Sequence, residues 1–362
     1  MRGPFELAWY GCALSTGGIA EELRSLSPSG ALGRRLGAVT SSSFDLVISE
    51  GAAPLEWQAA TDPGRTMLVA VDTLTDTPVW AGLTLTRGGG SEERVELGAC
   101  SPEGYLDRRY PGTYSATQTD ASTVMAALAA PITTAGLPLT FDTTPSGLLI
   151  DFDMKDSDDK TILSALQTIS AMSGAPEWTI DVVWADAAHT TFQLVMRIRP
   201  RIGVQDDQPE AVFDLPGCIS SYRLAESYEQ GKGATVVVAT GEGQGDARIE
   251  SDVQTATDLI DAGWPRWIYR YSPGTGITST DQLNAHAAAT LQLLQAGSRS
   301  WTVSATASQA PRIGTDWALG DSVSVQIASS PRHPVGASVV ARAYGWDLDI
   351  AGDKVSPILL EE

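Results

Sequence analysis

Hydrophobic and polar residues alternate with a period of two near the end of the chain. Val323 and Val325 are separated by serines, and apolar residues alternate with aspartates through residues 344–350. Successive side chains of a β-strand point to opposite faces of the sheet, so this alternation predicts strands with one buried face and one solvent-exposed face. The Leu-Gly-Asp sequence at 319–321 predicts a tight turn that opens the first of these strands.

The same patterns along the whole chain predict a mainly β fold with an α+β insert. Short apolar runs, separated by turn residues, predict a β-barrel-like domain over residues 1–101. Residues 102–214 mix strand and helix patterns and predict an α+β domain. Residues 215–362 return to strand patterns and predict a second β-barrel-like domain with one inserted helix.

Three helices are predicted from capping residues and helical spacing. Residues 119–122 supply N-cap oxygens to the first helix, which Pro131 ends. The second helix is predicted to begin near Ser157, where acidic side chains suit the positive end of the helix dipole. The third covers residues 281–296 and carries an apolar stripe of Leu283, Ala287, Leu291 and Leu294.

The composition is that of a folded, acidic chain. Apolar residues make up 43% of its 362 residues, and the 10 Trp and 9 Tyr exclude a disordered protein. The formal net charge of −20 argues against stable nucleic-acid binding, because phosphates repel an acidic face. A negative charge of this size is compatible with a lumen through which DNA slides without binding. A simpler interpretation is that the charge keeps the protein soluble. The sequence predicts neither a transmembrane helix nor a secretion signal.

Residue types that carry chemistry are few and scattered. The cysteines and histidines lack the spacing of a disulfide framework or a metal site, and no nucleophile motif of a serine hydrolase occurs. We therefore predict no catalytic residue, no metal and no cofactor. The residues concerned are Cys12, Cys100, Cys218, His189, His286 and His333.

Two stretches have an alternative interpretation as ligand sites. The acids between Asp151 and Asp159 fail the EF-hand pattern, because Lys155 and Asp156 stand where an oxygen ligand and a glycine are needed. A looser ion site stays open beside the simpler interpretation of an acid-capped helix. The Gly-rich stretch 241–245 lacks the Lys-Ser/Thr of a phosphate loop, and we interpret it as a β-turn.

Aromatic residues cluster at Trp264, Trp267 and Tyr269. A strand that packs Trp267 and Tyr269 into the core, or into a subunit interface, is the simpler interpretation. Stacking on a sugar is the alternative, because an exposed indole offers a flat apolar face.

The order of segments resembles that of a known family. G-Y-L-D-R-R-Y at 104–110 precedes A-S-T-V-M-A-A-L at 121–128, and L-G-D-S-V-S-V at 319–325 closes the chain. Between them come L-L-I-D-F-D at 148–153 and Q-L-N-A-H-A-A-A-T-L at 282–291. This succession resembles the tail-tip or baseplate hub proteins, which are minor tail proteins, of long-tailed actinobacterial siphophages.

The resemblance implies a structural protein of the virion tail tip, assembled in the cytoplasm of the bacterial host. Such a hub is a homotrimer whose two tube-like β-barrel domains per chain form a pseudo-sixfold ring. The ring joins a hexameric distal tail protein, passes the tape-measure protein and then DNA, and contacts other tail-tip or fibre proteins. The resemblance also implies that receptor-binding or wall-degrading extensions reside in separate proteins.

Two other functions stay open from the sequence. A carbohydrate-binding adhesin of the tail is favoured if Trp264 and Trp267 are exposed. A cell-wall hydrolase is less favoured, and requires two acids that converge in a cleft with raised pKa values.

Overall fold

The structure, a computed structural model, describes residues 3–134, 136–172, 174–241, 248–273 and 280–361. Its contacts form two compact units. The first holds the described residues of Met1–Ser170, Gly174–Tyr222 and Val303–Leu359, and the second those of Ala171–Ser173, Arg223–Thr302 and Leu360–Glu362. The predicted mainly β fold with an α+β part is confirmed. The division into three domains at residues 101 and 214 stays a prediction.

Strands dominate the described residues. The strands are β1 Leu7–Ala13, β2 Ile19–Glu22, β3 Leu26–Pro28, β4 Leu32–Arg35, β5 Ser41–Val47, β6 Thr66–Asp72, β7 Thr77–Gly89, β8 Arg94–Cys100, β9 Tyr114–Asp120, β10 Leu139–Thr143, β11 Leu149–Met154, β12 Glu177–Trp184, β13 Phe192–Arg199, β14 Val212–Leu215, β15 Ile219–Ser227, β16 Val236–Ala239, β17 Gln254–Thr255, β18 Ile268–Tyr271, β19 Ser298–Thr306, β20 Ser322–Ile327, β21 Ala337–Asp349 and β22 Lys354–Leu360. The α-helices are α1 Trp57–Ala60, α2 Ala121–Ala129, α3 Ile162–Ser170, α4 Thr257–Asp261 and α5 Thr280–Leu294, and the 3-10 helices are Pro102–Arg108, Ala130–Thr133 and Asp156–Asp158. Within the described ranges, none of the helices has the length and apolar character to cross a membrane.

The first seven-stranded sheet has the order β2-β1-β6-β7-β8-β5-β3 and curls into a half-barrel. Its strands pair antiparallel, and β6 is buried along its whole length. Trp9, Phe44 and Trp80 pack together on this sheet, with ring centroids 5.3–6.2 Å apart. Edge-to-face contacts of this kind fix the positions of large side chains as well as burying them.

The α+β part places α2 against a three-stranded sheet of order β10-β13-β12, and α3 packs against α2 and the 3-10 helix Pro102–Arg108. Helix α2 begins where predicted, because the Asp120 carboxylate accepts a hydrogen bond from the Ser122 N–H at 3.0 Å. The predicted start of the second helix near Ser157 is wrong: α3 begins at Ile162. Asp158 instead caps a separate 3-10 turn, and Asp159 takes a left-handed φ of 49° that ends it.

The second seven-stranded sheet has the order β14-β20-β21-β22-β19-β15, with β4 paired to β21 off this path. The predicted turn at 319–321 is present, and Gly320 has a φ of +87° there. A Cβ on Gly320 would lie 2.2 Å from the Ile202 carbonyl oxygen, so the turn requires glycine. Strand β4 comes from the first predicted β domain, yet it pairs with β21 of the second through Leu32↔Leu348.

Three arginines whose side chains are at most 12% exposed join the three predicted sequence segments within the first unit. Arg34, in β4, donates from Nη1 to Asp181 Oδ1 at 2.8 Å and from Nη2 to Thr179 Oγ1 at 2.9 Å. Its Nη2 also lies 3.9 Å from Glu103 Oε1. Arg34 thus connects residues 1–101 to residues 102–214.

Arg342, in β21, connects residues 215–362 to residues 102–214. Its Nη1 donates to Glu177 Oε1 at 2.6 Å, and its Nη2 donates to the other oxygen of the same carboxylate. Nε and Nη2 also donate to the carbonyl oxygens of Gly320 and Ile202, at 2.8 and 2.7 Å. This bidentate pairing requires the planar guanidinium group of arginine, which lysine lacks.

Arg312 connects residues 215–362 to residues 1–101. Its Nη2 donates to Asp72 Oδ1 at 2.6 Å and its Nε to Oδ2, while its guanidinium lies 4.4 Å from the centroid of the Phe5 ring. Burial alone would raise the pKa of Asp72. Hydrogen bonds from Arg312, the Leu74 N–H and the Thr75 hydroxyl have a larger, opposite effect, so the pKa lies below its ordinary value.

We expect Arg312→Met to lower the free energy of unfolding by about 3–5 kcal/mol, because Asp72 would remain buried without its cation. Urea unfolding measures the change. Arg24→Met is the matched control: Arg24 pairs with Glu22 but its side chain is 81% exposed, so the loss there should stay below about 1 kcal/mol. Equal losses for the two variants would contradict a structural role for the buried pair.

The lowered pKa of Asp72 also predicts a pH dependence. A carboxyl whose folded-state pKa is depressed contributes stability above its unfolded value, here 3.8, and loses it as the pH falls through the folded-state pKa. We expect the difference in unfolding free energy between the wild type and Asp72→Asn to shrink as the pH falls below 3.8. Thermal unfolding at a series of pH values measures it, and a difference that stays constant would refute this account.

Candidate functional site

The second unit carries the aromatic residues that the sequence singled out. Its three-stranded sheet has the order β17-β16-β18, and α5 packs against β16. The predicted apolar stripe of α5 is confirmed, since Leu283, Ala287 and Leu291 are buried against Val237 and other small residues of the sheet. Strand β18 lies at the edge of this sheet, parallel to β16.

Trp264 and Trp267 are exposed at this edge, by 42% and 51% of their surface. Packing of Trp267 into the core of its unit is therefore wrong. Tyr269 is half-buried, packs against the core beneath α5 and stacks on Tyr271 with ring centroids 5.4 Å apart. The strand thus separates the predicted residues, with two indoles in solvent and one phenol turned to the core. The interface and sugar-stacking interpretations stay predictions.

Tyr228 belongs to the same cluster, although sequence analysis did not identify it. Its ring centroid lies 5.4 Å from that of Trp264 and 6.1 Å from that of Trp267. A Cβ on Gly233 would lie 2.4 Å from the Tyr228 ring, so only glycine lets the ring lie flat on the chain. Burial raises the pKa of Tyr228. A lone tyrosine in a polar stretch, 36 residues from Trp264, gives no sequence signal of this contact.

Thr235 fixes the backbone that presents the two indoles. It is fully buried, and its hydroxyl donates to the Pro265 carbonyl oxygen at 2.9 Å. The Thr235 hydroxyl oxygen also accepts a hydrogen bond from the Trp267 N–H at 2.8 Å. The Thr235 N–H in turn donates to the Trp267 carbonyl oxygen at 3.0 Å. Both ends of the Trp264–Trp267 turn are therefore tied to one buried side chain.

The acids between Asp151 and Asp159 do not converge. Asp151 accepts from the Gln118 N–H at 2.7 Å, Asp153 from the Ser115 hydroxyl at 2.5 Å, and Asp158 from the Lys155 N–H at 3.0 Å. Among the described residues, no group of three or more His, Cys, Asp or Glu side chains could hold a metal ion. In the Gly-rich stretch 241–245, residues 242–245 lie outside the described residues.

The hydrolase alternative calls for paired acids with raised pKa values. Burial raises the pKa of Glu103 above its ordinary value, although the nearby Arg34 acts in the opposite direction. Burial acts on Asp181 in the same way, but Arg34 and Arg197 outweigh it, so the pKa of Asp181 lies below its ordinary value. Glu103 is only 1% exposed, and its Oε1 accepts from the Ile180 N–H at 3.1 Å. An enclosed carboxyl beside an arginine-bound one has no surface to offer a polysaccharide, so this pair does not favour a hydrolase.

Comparison with known proteins relates the whole chain to tail proteins by fold. No protein-family model matches the sequence, and no curated protein matches it. A tail protein from Neisseria meningitidis matches with a TM-score of 0.60 and 13% identity, over 99% of this chain and 96% of that one. The 43 kDa tail protein of prophage MuSo2 from Shewanella oneidensis matches with a TM-score of 0.60 and 12% identity, over 98% of each chain.

A prophage tail protein from Listeria monocytogenes gives a TM-score of 0.56 at 10% identity, over 99% of this chain and 94% of that one. The chain therefore has the fold of phage tail proteins along its full length. At such low identity the likeness establishes the fold alone, and the narrower resemblance to actinobacterial siphophages stays a prediction.

We expect Thr235→Val to loosen the Trp264–Trp267 turn and to lower the free energy of unfolding by about 1–3 kcal/mol, because the substitution removes two buried hydrogen bonds without changing shape. Near-UV circular dichroism should report the change in the aromatic cluster, and urea unfolding the loss of stability. Thr168→Val makes the same change on the exposed side of α3 and should leave both signals unchanged. An unaltered near-UV spectrum in Thr235→Val would refute this role.

Proposed function

We propose that the chain is a structural, non-enzymatic component of a phage tail that forms a trimeric hub at the tail tip. In this role it closes the end of the tail tube and opens for the passage of DNA. The observation that carries the proposal is the full-length likeness to three tail proteins, each covered over at least 94% of its own length. Such coverage includes both large sheets and the α+β part, so the likeness extends beyond one common motif.

The two large sheets support the trimer. Each chain contributes two seven-stranded sheets, so three chains provide six. A threefold ring built in this way presents six similar elements to a hexameric neighbour, and closed rings of this kind follow from cyclic symmetry. The distal tail protein, the tape-measure protein and other tail-tip or fibre proteins are the partners we propose, with the virion tail tip as the location and the host cytoplasm as the place of assembly.

The charge of the chain supports a passage for DNA without binding. A net charge of −20 repels phosphates, so DNA crossing a lumen lined by this chain would not be held there. Such repulsion falls with ionic strength, because salt screens charges separated by more than about 10 Å at 0.1 M.

A carbohydrate-binding role in the tail is the second candidate. Exposure of Trp264 and Trp267 favours it, because large aromatic side chains in solvent commonly mark binding sites. The two functions are compatible, since the aromatic cluster lies in the second unit and the first unit holds the large sheets. The second unit also takes residues 223–227 of β15, 298–302 of β19 and Leu360 of β22.

We expect the purified chain to form trimeric rings with a central channel. Multi-angle light scattering measures the mass, and negative-stain class averages show the ring. A chain that remains a monomer at every concentration, both alone and mixed with a distal tail protein, would contradict the hub.

A further inference from the structure

An exposed arginine stands between the two exposed indoles. The sequence Trp264-Pro265-Arg266-Trp267 is exposed at all four positions. Arg266 makes no ion pair within the described part of the chain. Two other surface cations of the same unit are paired, Arg270 with Glu250 at 3.4 Å and Lys232 with Glu229 at 2.7 Å. On a chain with 44 acidic residues, an unpaired arginine flanked by tryptophans is a distinctive combination.

The indoles and the arginine are held on a fixed turn. Helix α4 ends before Gly263, whose φ of +91° lets the Trp264 N–H donate back to the Leu259 carbonyl oxygen at 3.0 Å. Thr235 ties down the other end of the turn, and Tyr228 packs against both indoles. These contacts hold the backbone of the turn and the two indoles in place, so binding costs little of their conformational freedom, which favours recognition of a small ligand.

We propose that Trp264, Arg266 and Trp267 bind a saccharide that carries a carboxylate, that is, a uronic-acid sugar. The C–H bonds on the face of a sugar ring carry a slight positive charge and meet the negative π-face of an indole. A carboxylate matches the planar fork of a guanidinium, which can donate two parallel hydrogen bonds to it. One unpaired arginine carries one charge, which a single carboxylate neutralises.

Charge argues for a carboxylate rather than for a more highly charged group. The chain as a whole is strongly acidic, so a second negative charge on the ligand would be repelled. A protein partner fits less well. A stable interface buries about 800 Å² on each side, more than three side chains on one turn supply.

The test uses neutral oligosaccharides that end in one galacturonic or glucuronic acid, together with the same oligosaccharides after reduction of that carboxyl group to an alcohol. Isothermal titration calorimetry and tryptophan fluorescence measure binding to the full chain. We expect the acidic sugars to bind and the reduced sugars to bind at least about tenfold more weakly, the loss expected for one charge-assisted pair. Glucose 1-phosphate tests whether a phosphate replaces the carboxylate.

The variants Arg266→Gln and Trp267→Ala should each weaken binding of the acidic sugars at least about tenfold. Leu293→Ala is the matched control, because Leu293 belongs to the same unit and is 78% exposed on α5. It should leave affinity unchanged. Far-UV circular dichroism and urea unfolding verify that each variant is folded.

Three results would overturn the proposal: no binding by the wild type, equal binding of acidic and reduced sugars, or tighter binding of the phosphate sugar. A Trp267→Ala variant that loses oligomeric state rather than sugar affinity would assign the cluster to a subunit interface instead. The proposal is independent of the hub, because a monomeric chain that binds the acidic sugars would contradict only the hub.

Discussion

Three arginine–carboxylate pairs hold the first unit together, and each of the arginine side chains is at most 12% exposed. Each pair joins a different two of the three segments: Arg34 with Asp181, Arg342 with Glu177, and Arg312 with Asp72. Removing a charge from water costs several kcal/mol, so such a pair is tolerable only when its geometry is nearly complete. The segments must therefore reach their final arrangement together, since any one out of place leaves a charge buried and unmatched.

The same constraint bears on the trimer proposed above. The buried pairs and the exchange of β4 into the second sheet join the segments that carry both large sheets, which in the proposed trimer would have to keep a constant spacing. Each of these arginines is paired with a carboxylate, so the pairs leave the net charge of the remaining surface unchanged, and the acidity of the proposed lumen rests on the composition alone.

Local patterns in the sequence predicted local structure, but they could not predict which distant residues pair in the fold. The strand around Val323 and the stripe of Leu283 on α5 follow from periods of two and 3.6. Arg312 and Asp72 are 240 residues apart, and neither the spacing nor the neighbours of either residue indicates the other. The exposure of Trp267 was missed for a related reason: alternation predicts that a strand has two faces, but it does not reveal that β18 lies at an edge.

The arginines of this chain serve two opposite purposes, which their surroundings distinguish. Arg34, Arg312 and Arg342 are each satisfied by a carboxylate and by carbonyl or hydroxyl oxygens of the chain itself, so their binding capacity is used in holding the fold. Arg266 offers the same planar donors to solvent, on a turn whose backbone is fixed by Thr235. A cation whose geometry is prepared but whose partner is not supplied by the chain is best explained by a partner from outside.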